Sequence, residues 1–256
     1  MEVNLTVSYD FSGKVALVTG ASGGIGRATA LAFARAGASV VVSDVNAAGG
    51  EETVALAAAA GGTAIFHPCD VADPAAVKAL VARAVGHFGR LDFGHNNAGI
   101  TNLTADEWDD EVWRRSLAIN LDGVMHCMRE EAAAMLDHGG GAIVNTASIN
   151  GFTGNARQPA YVATKHGVIG LTRHGALKWA RDNIRVNAVC PGVIETPMTD
   201  AVARNPDLRR AMEALTPMGR MGQPDEVAGA VLWLCSVQAS FVTGHPLVID
   251  GGATVS

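Results

Sequence analysis

A tyrosine and a lysine four residues apart, Tyr161 and Lys165, have the spacing in this sequence that most directly suggests chemistry. Residues i and i+4 share one face of a helix, so a helix here would place the lysine ammonium beside the phenol. A positive charge at that range lowers a phenol pKa by about 1–3 units from its ordinary value near ~10. Such a tyrosine can exchange a proton with a reacting oxygen near neutral pH. Taken by itself, this spacing more often belongs to a surface pair on an amphipathic helix.

Two further polar residues precede this pair. Ser148 lies 13 residues before Tyr161 and just after the apolar run Ala142–Thr146, which predicts a place at the carboxyl end of a strand. A hydroxyl there can hydrogen-bond a substrate oxygen. Asn120 falls inside a long predicted helix, where asparagine is an unfavourable residue, so we expect it to hold a water or to distort the helix. A solvated or core-satisfied amide is the alternative for Asn120.

A glycine-rich run, Thr19-Gly20-Ala21-Ser22-Gly23-Gly24-Ile25-Gly26, joins the first predicted strand to a helix. Glycines at a first strand-to-helix turn let the backbone approach a pyrophosphate at the helix N-terminus. The run therefore predicts a dinucleotide site, with a tight turn that binds no ligand as the alternative.

Polar or small residues also end the next three predicted strands. Asp44 stands 18 residues beyond Gly26, where a carboxylate accepts hydrogen bonds from the adenosine ribose and repels a 2′-phosphate. Neither Val45 nor Ser22 offers a positive charge, so we predict NAD over NADP, with a helix N-cap as the alternative for Asp44. Asp70-Val71 is suited to the adenine edge, and Asn96–Gly99 to backbone contact beside the ribose, although each alone is more often a strand-end turn.

The elements that must position these residues alternate along the chain. Short apolar runs without polar alternation predict parallel strands buried on both faces. Together with the intervening helices they predict an α/β fold, a doubly wound parallel seven-stranded sheet of the Rossmann type with helices on both faces. The predicted strands are Val15–Thr19, Ser39–Ser43, Thr63–His67, Leu91–His95, Ala142–Thr146, Ile184–Val189 and Leu247–Ile249. The predicted helices are Ile25–Ala36, Gly50–Ala60, Pro74–Phe88, Ala105–Leu136, Pro159–Arg181 and Pro224–Ser236.

Two segments depart from this alternation. Residues 1–12 are polar and irregular and are predicted to form a loose tail before a single domain at 13–256. Residues 195–222 form an insertion that is rich in proline and methionine, at the carboxyl end of a strand. We predict a ligand lid there, with a surface excursion as the alternative.

Composition excludes several classes of protein. The chain has 256 residues, a formal net charge of −6 and no basic excess for nucleic acid. No uncharged apolar run reaches the ~18 residues of a membrane span, and the start lacks a signal-peptide pattern, so we expect a cytoplasmic protein that binds no membrane. Four scattered cysteines show no metal-site spacing, so we expect free buried thiols and no metal.

In this order and at these spacings, the residues resemble the short-chain dehydrogenase/reductase family, in its compact single-domain branch, over about residues 12–252. The residues that carry the resemblance are Thr19–Gly26, Asp70-Val71, Asn96–Gly99, Asn120, Ser148, Tyr161, Lys165, Pro191-Gly192, Gly244, Asp250 and Gly251-Gly252.

The resemblance implies hydride transfer between a substrate carbon and a nicotinamide, with Tyr161 as general acid in reduction and general base in oxidation. Lys165 would lower the Tyr161 pKa and hold the nicotinamide ribose. Ser148 would position the substrate oxygen, and Asn120 would support a water that passes the proton onward. The family also suggests a homotetramer built partly from the helices Ala105–Leu136 and Pro159–Arg181.

The expected ligand contacts follow from the strand ends together with this resemblance. The cofactor-binding residues would be Gly20, Ser22, Gly23, Gly24, Ile25, Gly26, Asp44, Val45, Asp70, Val71, Asn97, Ala98, Gly99, Tyr161, Lys165, Pro191, Gly192, Ile194 and Thr196. The substrate-binding residues would be Ser148, Asn150, Phe152, Gln158, Tyr161, Val193 and Met198. Since few of these carry charge, we expect a small to medium secondary alcohol or ketone of low charge, alicyclic rings included.

Two positions depart from the family pattern. Phe93-Gly94-His95 stands where an aliphatic run is usual, and we expect His95 to be structural. Gly175, in mid-helix, would fit a close helix contact between subunits.

Two rival functions remain. A 3-oxoacyl thioester reductase of the same fold would use NADPH and a basic face, which Asp44 and the net charge oppose. A non-catalytic nucleotide sensor would not need the set Asn120, Ser148, Tyr161 and Lys165.

Overall fold

The computed structural model describes residues 7–101, 106–200 and 204–255. Within them, seven parallel strands form one sheet in the order β3-β2-β1-β4-β5-β6-β7. The chain order reverses between β1 and β4, and such a reversal opens a crevice at the carboxyl ends of the strands. The strands are β1 Val15–Thr19, β2 Ser39–Asp44, β3 Thr63–Pro68, β4 Phe93–Asn96, β5 Gly141–Thr146, β6 Ile184–Pro191 and β7 Pro246–Ile249.

Helices cover both faces of the sheet. Their bounds are α1 Gly24–Arg35, α2 Ala47–Ala59, α3 Pro74–Phe88, α4 Asp110–Leu117, α5 Gly123–Leu136, α6 Pro159–Trp179, α7 Pro206–Ala214 and α8 Pro224–Cys235. Local chemistry fixes several ends: Asp73 caps α3 ahead of Pro74, and Gly89 ends that helix in the left-handed conformation. No helix among the described residues is long and apolar enough to cross a membrane.

Two apolar clusters form the core, one on each face of the sheet. Leu17 and Val41 belong to the cluster under α3, α5 and α6, whereas Val18 and Val42 belong to the cluster under α1 and α8. Because neighbouring strand residues point to opposite faces, both parities must be apolar, which explains the unbroken apolar runs. The predicted doubly wound parallel sheet is confirmed.

The long predicted helix Ala105–Leu136 is interrupted. Ala105 lies outside the described residues, α4 begins at Asp110, and a π-helical turn at Ala118–Asp122 separates α4 from α5. Asn120 lies in that turn, so the expected helix distortion is present. A wide turn of this kind is often found at functional sites.

Two other expectations need correction. Phe11 is buried and packs against Phe33 and Phe93, so residue 11 is part of the core rather than of a loose tail. A Cβ on Gly175 would lie 2.7 Å from Cε of Met128. The glycine is therefore explained by packing of α6 on α5 within one chain, without a subunit interface.

Candidate active site

A cleft of about 300 Å³ opens at the carboxyl edge of the sheet, beside the point where the strand order reverses. It brings together most of the predicted site residues, although they are spread over the chain. The cleft is lined by Gly20, Ser22, Gly23, Gly24, Ile25, Asp44, Asn97, Gly99, Thr146, Ser148, Tyr161, Lys165, Pro191, Gly192, Ile194, Thr196, Pro197, Met198 and Thr199.

The glycine turn forms one end of the cleft, and its geometry requires glycine. Gly20 has φ +65°, and a Cβ there would lie 2.8 Å from Cα of Ala98. A Cβ on Gly26 would overlap the carbonyl oxygen of Gly20. Gly26 and Ala98 therefore shape the turn from behind and do not line the cleft.

The N-terminus of α1 lacks the side-chain cap that other helices of this chain have. Its N-cap, Gly23, makes no side-chain hydrogen bond, and its first turn has no acidic residue. By contrast, Asn46 and Asp73 cap α2 and α3. Free N–H groups at the positive end of a helix suit a phosphate, so this end of the cleft fits the pyrophosphate of a dinucleotide.

Asp44 stands beside the turn, at the end of β2. Its carboxylate accepts from the backbone N–H of Ser22 at 3.0 Å and from that of Asn46 at 2.9 Å. Because Asn46 is the N-cap of α2, the alternative role of Asp44 as that cap is wrong. Val45 is 71% exposed next to it.

Asp70 and Val71 are not among the residues that line the cleft. The Asp70 carboxylate accepts from the backbone N–H of Ala72 at 3.0 Å, and Val71 is buried under α5 beside Gly123. The structure therefore gives these two a local turn, and their contact with an adenine ring remains a prediction.

The opposite end of the cleft holds Ser148, Tyr161 and Lys165. Tyr161 and Lys165 lie one turn apart on α6, and the Lys165 Nζ is 5.4 Å from the centre of the Tyr161 ring. Ser148 follows β5, and its hydroxyl oxygen accepts from the backbone N–H of Asn150 at 3.1 Å. Ser148 also hydrogen-bonds to Tyr161. All three residues therefore line the same space.

Burial controls the charges of this group. Burial raises the pKa of Tyr161, and the hydrogen bond with Ser148 only partly opposes that shift. Burial also lowers the pKa of Lys165 to about 8. Removal of water from around the phenolate is thus the largest effect on the Tyr161 pKa, and the expected lowering of that pKa by Lys165 remains a prediction.

Asn120 is fully committed to the backbone of Ile100. Its Oδ1 accepts from the Ile100 N–H at 2.8 Å, and its Nδ2 donates to the Ile100 carbonyl at 2.9 Å. These bonds hold the segment after Asn97–Gly99 against the π turn. Asn120 is thus a satisfied buried amide, and its support of a water remains a prediction.

Most, but not all, of the residues predicted to contact cofactor or substrate at and after the end of β6 line the cleft. Pro191, Gly192, Ile194 and Thr196 line the cleft, whereas Val193 lines a separate cavity of about 250 Å³ with Met218. Met198 lines the cleft and is about half exposed, whereas neither Asn150 nor Phe152 is among the lining residues.

Gln158 is occupied by its own chain. Its Nε2 donates to Thr101 Oγ1, and its Oε1 accepts from Asn155 Nδ2 at 3.0 Å. A substrate contact would have to replace one of these bonds.

Sequence reasoning missed Thr146, Pro197 and Thr199, which also line the cleft. Thr146 ends β5 two residues before Ser148, so its strand-end position was a usable signal. Thr199 hydrogen-bonds the Ile194 carbonyl at 2.6 Å, a loop contact with no local sequence pattern. Within the predicted lid, residues 201–203 lie outside the described residues, and Met221 is buried rather than part of a cover.

Among the described residues, no group of three or more His, Cys, Asp or Glu side chains is arranged to hold a metal ion. The site therefore combines a helix N-terminus that is free for an anion, an anchored carboxylate and a buried tyrosine beside a lysine, an arrangement suited to a nicotinamide-dinucleotide oxidoreductase.

Comparison with known proteins agrees with this class. A family model described as "Enoyl-(Acyl carrier protein) reductase" matches residues 20–254. The chain belongs to the short-chain dehydrogenase/reductase family.

Two curated relatives and one solved structure illustrate its range. Cyclohexanol dehydrogenase of Acinetobacter sp. is 46% identical over 250 residues, which cover 97% of this chain and 98% of the relative. The 3-oxoacyl-[acyl-carrier-protein] reductase FabG of Thermotoga maritima is 40% identical, over 95% of this chain and 98% of the relative. A short-chain dehydrogenase/reductase from Mycobacterium marinum superposes with a TM-score of 0.92 at 39% identity, over 96% of this chain and 98% of the other.

Proposed function

We propose that this enzyme is an NAD-dependent dehydrogenase that interconverts a secondary alicyclic alcohol and its ketone. The observation that carries the proposal is the shared cleft, with Tyr161, Ser148 and Lys165 at one end and the glycine turn with Asp44 at the other. The oxidoreductase class follows from the family and the site, while the cofactor and the substrate are the proposed part.

In the proposed reaction, the nicotinamide supplies the hydride chemistry when it is bound. Tyr161 exchanges the proton of the substrate oxygen, and the Ser148 hydroxyl, which already hydrogen-bonds Tyr161, holds that oxygen in place. Lys165 donates to the Thr146 carbonyl at 2.7 Å, which holds its ammonium in the cleft, where it would bind a hydroxyl of the nicotinamide ribose.

The preference for NAD is argued from Asp44. Its carboxylate is anchored by two backbone N–H groups at the wall of the cleft, so it cannot easily turn away from an incoming ribose. Fixed negative charge favours two ribose hydroxyls as donors and repels a phosphate at the same place.

The substrate class is argued from the cleft mouth and one relative. Pro197 and Met198 add apolar surface to the cleft that also holds Ser148 and Tyr161, and Phe152, four residues after Ser148, is a half-exposed aromatic ring. A low-charge ring suits such a surface, and cyclohexanol dehydrogenase is the relative with 46% identity.

A second candidate is a 3-oxoacyl thioester reductase that uses NADPH, which the 40% identity to the Thermotoga maritima reductase favours. Asp44 opposes it, because a 2′-phosphate would meet a carboxylate.

The experiment that decides between them measures NADH formation by purified enzyme with cyclohexanol and related secondary alcohols, with NAD and NADP side by side. Turnover with NAD and a ring alcohol is the expected result. Consumption of NADPH with 3-oxoacyl thioesters, together with no turnover of alcohols, would establish the reductase instead. Binding of nucleotide without turnover of either substrate class would point to the non-catalytic sensor.

A further inference from the structure

His95 is a fully buried histidine in the central strand β4, next to the cleft but not part of its lining. Its Nε2 lies 2.9 Å from the Thr146 hydroxyl, and its Nδ1 has no hydrogen-bond partner among the described residues. Burial lowers the His95 pKa to about 3, so the ring is neutral at physiological pH. The histidine therefore has one polar contact, and that contact is with a cleft residue.

The direction of the contact follows from Asn97. The Asn97 Nδ2 faces the carbonyls of Thr19 and Gly20, each at 3.2 Å, and carbonyls only accept. This fixes the amide so that its Oδ1 faces the Thr146 hydroxyl at 3.3 Å. Since Oδ1 accepts only, Thr146 must use its single proton there. The His95 Nε2 must then be the donor to Thr146.

The result is one directed chain of hydrogen bonds from the core to the glycine turn. It runs from His95 to the Thr146 hydroxyl, from there to Asn97, and from Asn97 to the Gly20 carbonyl. Thr146, Asn97 and Gly20 all line the cleft, and the Thr146 carbonyl also accepts from Lys165. The imidazole thus orders a wall of the cleft that it does not itself touch.

We propose that His95 is a positioning residue for dinucleotide binding: its Nε2–H holds the Thr146 hydroxyl toward Asn97 and so keeps the glycine turn in its binding geometry. The inference rests on the proposed function in that it takes the ligand of the cleft to be a nicotinamide dinucleotide. It differs from a packing role, because an aliphatic side chain would fill the same space without directing Thr146.

The test measures NADH binding by fluorescence titration, so it does not depend on turnover. His95→Val removes the donor and is expected to weaken NADH binding about fivefold, the effect of one ordinary hydrogen bond. His95→Gln and His95→Asn form a matched pair, because a glutamine amide nitrogen reaches the Nε2 position and an asparagine amide nitrogen reaches only the Nδ1 position. We expect binding by His95→Gln within about twofold of the unmodified enzyme, and binding by His95→Asn as weak as that by His95→Val.

A double-mutant cycle checks that the effect passes through Thr146. Thr146→Val removes that hydrogen bond from the other side, together with the bond from Thr146 to Asn97, so the two valine substitutions together should weaken NADH binding no more than Thr146→Val alone. Melting temperatures are recorded for every variant. His95→Val also removes an unpartnered buried nitrogen, so we expect its melting temperature to stay close to that of the unmodified enzyme.

Several results would overturn the proposal. They are unchanged NADH affinity in His95→Val, equal affinity of the Gln and Asn variants, and fully additive effects in the cycle. If His95→Val does not fold, unchanged NADH binding by Thr146→Val would overturn the proposal instead. Absence of NADH binding by the unmodified enzyme would instead refute the proposed function, and the two failures are thereby distinguished.

Discussion

At the scale of single residues, burial makes both members of the Tyr161–Lys165 pair reluctant to carry charge. The Tyr161 pKa is raised, and that of Lys165 is lowered to about 8. The same burial strengthens every electrostatic interaction inside the cleft, because water is excluded. The chemistry of the pair therefore depends on its bound partners more than the i, i+4 spacing alone indicates.

Tyr161→Phe tests the proton-exchange role. The substitution keeps the ring but removes the hydroxyl, so we expect the turnover number to fall by about 10²–10⁴ while NADH binding changes little. Steady-state kinetics and NADH titration measure the two effects. Tyr9→Phe, at the chain's other tyrosine, is the control and should leave turnover unchanged. Undiminished turnover in Tyr161→Phe would refute the mechanism.

Asp44→Asn tests the cofactor preference. Without the negative charge, we expect the ratio of kcat/KM for NAD to that for NADP to fall by roughly tenfold or more, mainly through better use of NADP. Asp182→Asn is the control, because Asp182 is an exposed acid that lies before β6, away from the carboxyl edge of the sheet. A ratio that falls equally in both variants would show that Asp44 has no specific role.

We expect Glu131 to make the stability of the fold depend on pH. This carboxyl is fully buried in α5, where burial raises its pKa to about 7. Its Oε2 accepts from Asn96 at 2.9 Å, while its Oε1 and the Asn96 Oδ1 have no partner among the described residues. A Cβ on Gly94 would clash with the carboxyl, so the unusual glycine of β4 makes room for it.

The sign follows from proton linkage. Between the ordinary pKa of 4.5 and the raised value of about 7, the folded chain binds more protons than the unfolded chain, so the stabilising contribution of Glu131 falls as pH rises. We expect Glu131→Gln to remove up to about 3 kcal/mol of this pH dependence and to be more stable than the unmodified enzyme at pH ~8. Urea unfolding at several pH values measures it, and Asp137→Asn, at an exposed carboxyl ending the same helix, is the control. An unaltered pH slope in Glu131→Gln would contradict the assignment.

At the scale of elements, the glycine turn and the π turn each hold a loop beside the cleft, and they do so in different ways. In the glycine turn, two backbone segments pack directly against each other, as Gly20 does against Ala98. The π turn relies on one side chain, Asn120, whose amide replaces a missing backbone partner for Ile100. Each device holds a neighbouring loop in place, so neither element could be straightened without moving the cleft.

Two helical glycines differ in why glycine is present: Gly26 is needed because a side chain would not fit, whereas Gly86 only lowers the helix propensity of its segment. Gly26→Ala in α1 puts a Cβ onto the Gly20 carbonyl, so we expect weaker NADH binding by at least about tenfold and a lower melting temperature. Gly86→Ala in α3 meets nothing within 4 Å, so we expect about 0.5–1 kcal/mol of stabilisation and unchanged binding. Thermal unfolding and NADH titration measure both, and normal binding by Gly26→Ala would show that the turn tolerates the side chain.

At the scale of the whole molecule, the β7 edge of the sheet leaves large apolar side chains exposed. Val237 is 88% exposed and Phe241 fully exposed in the segment between α8 and β7, and Leu177 is 86% exposed near the end of α6. Such side chains are typical of a contact between subunits. We therefore keep the homotetramer as a proposal, with this edge as one of its contacts.

Phe241→Asp tests that contact. A buried charge in an interface is costly, so we expect the molar mass in solution to fall from that of a tetramer to that of a dimer or monomer. Size-exclusion chromatography with light scattering measures it. Leu56→Asp, on α2 near the other edge of the sheet, is the control and should leave the mass unchanged. An unmodified enzyme that is itself a monomer would contradict the proposed tetramer.

The sequence by itself determined what depends on local spacing. The order of strands and helices, the glycine turn and the shared face of Tyr161 and Lys165 follow from strand and helix periodicity, which nearby residues fix. The position of Asp44 at the cleft follows too, since parallel strands end at one edge.

The tertiary structure decided what depends on distant segments. The direction of the Tyr161 pKa shift depends on how much water the surrounding elements remove. The commitment of Asn120 to Ile100, of Gln158 to Thr101 and Asn155, and of His95 to Thr146 depends on which loops pack together. Hydrogen-bond partners and burial are properties of the assembled fold, so no local pattern contains them.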